Sequence, residues 1–176
     1  MPSKPPDPAS PEDLLSVLDH LGIDHHTLDH EPAHTVEDAK RVRGPLNGIH
    51  TKNLFVRDKK RNMFLVTLRE SVRVDLLKLS KLLGAKGRFS FGSEELLLDA
   101  LGVVPGSVTP FSVINDHGHK VTLVLDAAFR GPQTLYFHPL KNDKTTGLSF
   151  DGFSRFLTHC QVRPLFVDFD TLTVVD

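Results

Sequence analysis

Lys52 and Asn53 stand side by side just before the apolar run Leu54-Phe55-Val56, which leads into the basic turn Arg57-Asp58-Lys59-Lys60-Arg61. A lysine ammonium at the mouth of a strand supplies a point charge for a phosphate, and the neighbouring amide both donates and accepts hydrogen bonds. The pair suits a phosphate-bearing polar ligand; the bland alternative is a surface lysine. Other chemistries fit less well. Ten histidines invite a metal site, above all His25, His26, His30 and His34. His30 and His34 have the spacing of one helical face, but Pro32 lies between them and breaks that helix, and neither His-Glu-x-x-His nor a cysteine partner occurs. The sequence therefore predicts no metal and no cofactor. Cys160 is the only cysteine, so no intramolecular disulfide forms, and it reads as a buried thiol near a helix end. No Gly-x-Ser-x-Gly, Rossmann or P-loop pattern is present.

The elements that must position Lys52 and Asn53 come from periodicity and punctuation. Leu54 to Val56 reads as a short buried strand, Asp58 to Asn62 as a turn, and Met63 to Arg69 as the returning strand of a hairpin. Residues 1–9 carry four prolines and no apolar period, reading as a disordered tail ahead of one domain over residues 10–176. Ser10, Pro11 and Asp13 predict a helix start, with Leu14, Leu15, Val17, Leu18 and Leu21 as its apolar face and Gly22 as its end. A second helix is expected from Thr35 to just before Gly44-Pro45, and a third over Val74 to Leu83. Arg88 to Phe91 reads as a short strand, and Ser93 caps a helix that ends at Gly102. Phe111 to Ile114 and Val121 to Leu125 predict a second hairpin around Asn115 to His119. Gln133 to Phe137 and Leu165 to Phe169 complete the expected strands. Phe150, Phe153, Phe156 and Leu157 form an inward stripe on a late helix. This order indicates an α+β or mixed α/β single domain.

A chain of 176 residues with 39% hydrophobic content can build one real core. No apolar run reaches the ~18 residues of a membrane span, and the N-terminus lacks a signal-peptide core, so the expected compartment is the cytoplasm without membrane contact. The net charge of −1 hides an asymmetry: Met1 to Ala39 carries nine acidic residues and one basic, whereas Lys40 to Arg61 carries eight basic and one acidic. Such a block can hold a polyanion, although charge runs are more often solvated faces.

Three blocks together resemble a known family. They are Thr51-Lys52-Asn53-Leu54-Phe55 with Arg57 to Lys60, Leu101-Gly102-Val103-Val104-Pro105-Gly106-Ser107-Val108-Thr109-Pro110-Phe111, and Phe137-His138-Pro139-Leu140-Lys141-Asn142 with Thr145-Thr146. In these the chain resembles the free-standing prolyl-tRNA editing deacylases of the YbaK-like, aminoacyl-tRNA-deacylase domain family, in particular the ProXp-ala branch, which removes alanine mischarged onto proline tRNA. The resemblance implies a curved mixed sheet surrounded by helices and a metal-independent hydrolysis in which a water and the terminal ribose hydroxyl are positioned at the ester. It implies Lys52, Asn53 and His138 as catalytic residues, and Gly102, Pro105, Gly106, Ser107, Asn142 and Thr145 as substrate-binding ones. Lys40, Arg41, Arg43, Arg57, Lys59, Lys60 and Arg61 become candidates for tRNA contact. The implied partners are the acceptor end of proline tRNA and either prolyl-tRNA synthetase or an elongation factor. The alternatives are a non-catalytic acceptor-stem binding module docked on a synthetase and a metal-assisted hydrolase.

Overall fold

Ser10 starts the first helix as its residue type predicts: its hydroxyl accepts from the Asp13 N–H and the Asp13 carboxylate accepts from the Ser10 N–H, a reciprocal cap on α1 (Pro11–His20). Gly22 follows at φ +69°, the left-handed turn that glycine adopts without penalty. The computed structural model describes Ser3, Lys4, residues 6–33, 35–43 and 46–176, with backbone alone at Ala39, Val42 and Arg43. His34, Gly44, Pro45 and the Arg43 side chain, all invoked above, lie outside the described residues.

Beyond α1 the described elements are β1 (His25–Asp29), α2 (Val36–Arg43), β2 (Ile49–Arg57), β3 (Met63–Arg69), α3 (Leu76–Leu82), β4 (Ser90–Phe91) and α4 (Glu94–Leu101). They continue with β5 (Val121–Asp126), β6 (Leu135–Phe137), β7 (Lys144–Leu148), α5 (Phe150–His159), β8 (Leu165–Asp168) and β9 (Thr173–Val175). The strands form one mixed sheet in the order β1-β7-β6-β2-β3-β5-β8-β9, with β4 added beside β2. The pairs β2–β6, β3–β5 and β5–β8 are parallel and the others antiparallel. Alternation along the strands gives each face its own core. Phe55, Leu65 and Leu123 turn to the face covered by α1, α4 and α5, while Val56, Val66 and Val124 turn to the face covered by α3. The late stripe is core as read: Phe153 and Phe156 are fully buried, each edge-on to Phe111.

Two expectations need correction. Phe111 to Ile114 is no strand but part of a 3-10 helix over Pro110–Asn115, so the second hairpin does not exist and β5 instead joins β3 in parallel. The cause is local: Thr109 accepts the Phe111 N–H through its hydroxyl, Pro110 has a preset φ, and the Ser112 hydroxyl donates to the Thr109 carbonyl at 2.6 Å. The strand around Leu54 to Val56 is nine residues long, so Lys52 and Asn53 lie within it rather than at its mouth. Pairing with β3 carries the ladder through both polar residues, from Arg57 opposite Met63 to Thr51 opposite Arg69.

Candidate functional site

The β2 strand pairs with β3 from Thr51 to Arg57, but its other edge meets β6 only at Ile49 and His50 and β4 only at Val56 and Arg57. Between those two contacts, among the described residues, no strand covers the edge around Thr51, Lys52 and Asn53. A cleft of about 220 Å³ opens there, lined by these three residues, by Glu70, by Gly106 and Val108 after α4, by His138 after β6, and by Ala33, Thr35 and Val36. Sheet geometry sets who faces whom. Neighbours in a strand point to opposite faces, so Lys52 leaves toward the α3 side and Asn53 toward the α1 and α5 side, and the cleft wraps the open edge to reach both.

Of Lys52, Asn53 and His138, the last two are oriented by hydrogen bonds. The Thr67 hydroxyl donates to Asn53 Oδ1 at 2.7 Å, which leaves the Asn53 amide hydrogens to donate elsewhere. His138 Nδ1 lies 2.9 Å from the Lys144 carbonyl; a carbonyl only accepts, so Nδ1 carries the hydrogen and Nε2 presents a lone pair. Burial lowers the His138 pKa below the ordinary 6.5 despite that hydrogen bond, and His30 nearby lowers it further, so the ring is neutral at pH 7. Lys52 is half-buried, and its side chain makes no hydrogen bond or ion pair among the described residues. Desolvation lowers its pKa, with Arg73 adding repulsion and Glu70 opposing both. An ammonium, two amide hydrogens and an imidazole lone pair thus converge on one cleft, a set able to bind an anion, polarise a carbonyl and accept a proton.

A smaller recess of about 40 Å³ adjoins this cleft, sharing Thr51, Asn53 and His138 with it and adding His30, His50, Tyr136, Phe137 and Thr145. Among the described residues no group of three or more His, Cys, Asp or Glu side chains is arranged to hold a metal ion.

Residues 30–156 match the family model for the aminoacyl-tRNA editing domain. The chain belongs to that family. It is 36% identical over 161 residues to the prolyl-tRNA synthetase associated domain-containing protein 1 of Danio rerio, covering 90% of this chain and 87% of that one. It is 31% identical over 145 residues to the prolyl-tRNA editing protein ProX of Acetoanaerobium sticklandii, covering 82% and 88% respectively. The fold is shared with the crystal structure of a "hypothetical protein" at TM-score 0.67 and 17% identity, covering 88% of this chain and 97% of that one.

Within this editing-domain frame the residues named from sequence separate. Lys52, Asn53, His138 and Gly106 share the cleft and Thr145 faces the recess beside it. Gly102 does not line either; it ends α4 in the left-handed region at φ +66°, where a Cβ would meet Asn115 and Pro8 at 2.8 Å. Pro105 is exposed, and Ser107 is buried in a turn to Val104, both off the cleft lining. Asn142 acts one step back: its side-chain amide donates to the Ala33 carbonyl at 3.1 Å and its backbone carbonyl accepts from the Ala33 N–H at 3.2 Å, fixing a cleft residue.

The basic block is also divided. Lys40 and Arg41 lie on α2, paired with Glu37 at 3.9 Å and Asp38 at 3.4 Å. Arg57, Lys59, Lys60 and Arg61 gather at the far tip of the β2–β3 hairpin, with Arg57 ~17 Å along the strand from Lys52 at ~3.3 Å per residue. Glu70 and His50 are not named as site residues from sequence, His30 is weighed there only as a metal ligand, and Val108 enters only as part of the Leu101 to Phe111 block. Glu70 alone had a signal: the five-residue turn fixes the hairpin register, which sets position 70 beside Lys52 on the same face.

Proposed function

We propose that the protein is a trans-editing deacylase that hydrolyses the ester of alanine mischarged onto proline tRNA, without a metal ion. The observation that carries this reading is the convergence of Lys52, Asn53 and His138 on one cleft at the open edge of β2. An aminoacyl ester is already activated and has a ribose hydroxyl beside it, so placing a water and stabilising the developing oxyanion supplies most of what the reaction needs. Lys52 holds the phosphate or ribose of the terminal adenosine. Asn53, its oxygen committed to Thr67, donates from its amide hydrogens to the ester carbonyl or the ribose. His138 presents Nε2 to the attacking water, and Gly106 and Val108 wall the space left for the amino-acid side chain. Alanine is the expected amino acid because a synthetase pocket built for proline gains only ~1 to 3 kcal/mol of discrimination per missing methylene, whereas a second, tighter pocket rejects proline by clash. Prolyl-tRNA synthetase or an elongation factor would hand over the charged tRNA.

The test is release of amino acid from proline tRNA charged in turn with alanine, serine, cysteine and proline, with chelator present. Hydrolysis of the alanyl ester with proline spared supports the reading. Tight binding of the tRNA with no hydrolysis of any ester would replace it with a binding module.

A further inference from the structure

The recess beside the cleft is lined mostly by polar side chains, drawn from β2, β6 and β7 and from the residues just past β1 and β6. His30, just past β1, places Nδ1 2.7 Å from the Glu31 carbonyl, which only accepts, so the tautomer this pairing selects carries its hydrogen on Nδ1 and has Nε2 as acceptor. That acceptor lies 2.7 Å from Thr145 Oγ1 on β7, so the Thr145 hydroxyl donates to His30 and its oxygen keeps its lone pairs. His138, whose Nε2 is also an acceptor, borders the same recess, with its ring centroid 6.3 Å from that of His30. Among the described residues no Lys, Arg, Asp or Glu lines the recess, and about 40 Å³ is room for one or two waters.

Resting on the deacylase reading, we infer that this recess is the site of the hydrolytic water, with Thr145 and His30 as positioning residues for it. The water donates one hydrogen to His138 Nε2 and the other to Thr145 Oγ1. Two protein acceptors engage both hydrogens, so an oxygen lone pair faces the cleft, where Asn53 borders both spaces. As the water oxygen bonds to the ester carbon, its proton passes to His138 Nε2. When the bond from that carbon to the ribose oxygen breaks, the same proton goes to the ribose oxygen, giving free amino acid and a ribose hydroxyl. His30 touches neither water nor ester; it acts by fixing the direction of the Thr145 hydroxyl hydrogen, without which that hydrogen would compete for the water oxygen.

The experiment uses the full chain and alanyl-tRNA of proline identity in single-turnover reactions over a range of protein concentrations, with the melting temperature of each variant recorded. Thr145→Val removes the acceptor and should lower the maximal rate on the order of 100-fold while leaving the half-saturating concentration unchanged, a displaced nucleophile costing rate rather than binding. Thr145→Ser keeps the hydroxyl and should restore most of it. His30→Ala should reproduce the loss, and the double variant should be no slower than Thr145→Val alone, because His30 acts only through Thr145. If Thr145→Val does not fold at the assay temperature, Thr145→Ser and His30→Ala carry the comparison. Wild-type rates in His30→Ala, or additive losses in the double variant, would overturn the water site. That failure differs from failure of the deacylase reading, in which the wild-type protein itself would release no alanine.

Discussion

At the scale of single residues, the site rests on where each polar group's hydrogens and lone pairs are committed. Lys52 differs from Arg69, whose guanidinium is tied to Asp126 at 2.8 Å and Asp170 at 3.1 Å and belongs to the scaffold. Lys52→Ala should therefore cost little stability and most of the activity, at least 100-fold in kcat/KM, as expected for loss of a cation that meets the substrate's charge. A folded Lys52→Ala protein with unaltered single-turnover rates would remove the anchoring role. His138 gives the pH dependence. Its folded pKa is lowered, so the neutral ring prevails above that lowered value and activity should fall only as pH drops through it, placing the acid limb of kcat/KM below 6.5. The unfolded imidazole binds its proton nearer 6.5, so His138 favours the folded state fully above that pH and loses this contribution as pH falls toward the folded value. A pH series of urea melts should show that decline and its attenuation in His138→Gln. Lys52 and Asn53 were legible in sequence because polar residues interrupt an apolar run. The pairing of His30 with Thr145 is not legible there, because the two lie 115 residues apart and His30 stands out only as a metal candidate.

At the scale of elements, the β2–β3 hairpin is the part that aims the site, and its turn is held by one carboxylate. Asp58 is buried, yet its four hydrogen bonds, from the Lys86, Asn62 and Lys60 N–H groups and the Asn62 amide, outweigh desolvation and bring its pKa down to about 2. Asp58→Ala would leave several of these donors unpaired and should destabilise the protein by about 3 kcal/mol, measurable as a lower urea midpoint. An unchanged midpoint would show the turn to be held by other contacts. The carboxylate's contribution should be present above 3.8 and fade as pH falls toward 2. Elements with strong local signals were legible: the capping pair of α1, the Ser93 cap, and the near-continuous apolar run of β3. Strands β1, β7 and β9 were not read, since His-His-Thr-Leu-Asp, Lys-Thr-Thr-Gly-Leu and Thr-Val-Val gain their identity from pairing across the sheet. The run Phe111 to Ile114 looked like a strand because its residues have high β propensity; Thr109, Pro110 and Ser112 override that locally.

At the scale of the whole molecule, a net charge of −1 leaves tRNA attraction to local fields, and the structure splits the basic block between α2 and the distant hairpin tip. If the tip meets the acceptor stem, Lys59→Glu with Lys60→Glu should weaken binding of whole tRNA and flatten its salt dependence, while hydrolysis of a short aminoacylated 3′ fragment stays near wild type. Equal losses on both substrates would move the contact away from the tip. Cys160, whose thiol burial pushes up to about 11, is a poor nucleophile, and Cys160→Ala should leave the reaction unaltered. Across all three scales, the cleft at the open β2 edge, walled by Gly106, Val108 and His138, is proposed to hydrolyse a small aminoacyl ester and to refuse proline. The most direct measurement is the ratio of single-turnover rates for alanyl- and prolyl-esters on the same proline tRNA, in the wild-type protein and in His138→Ala. The account predicts a rate for alanine at least 100-fold above that for proline, with a smaller ratio in the variant; equal wild-type rates for the two esters would contradict it.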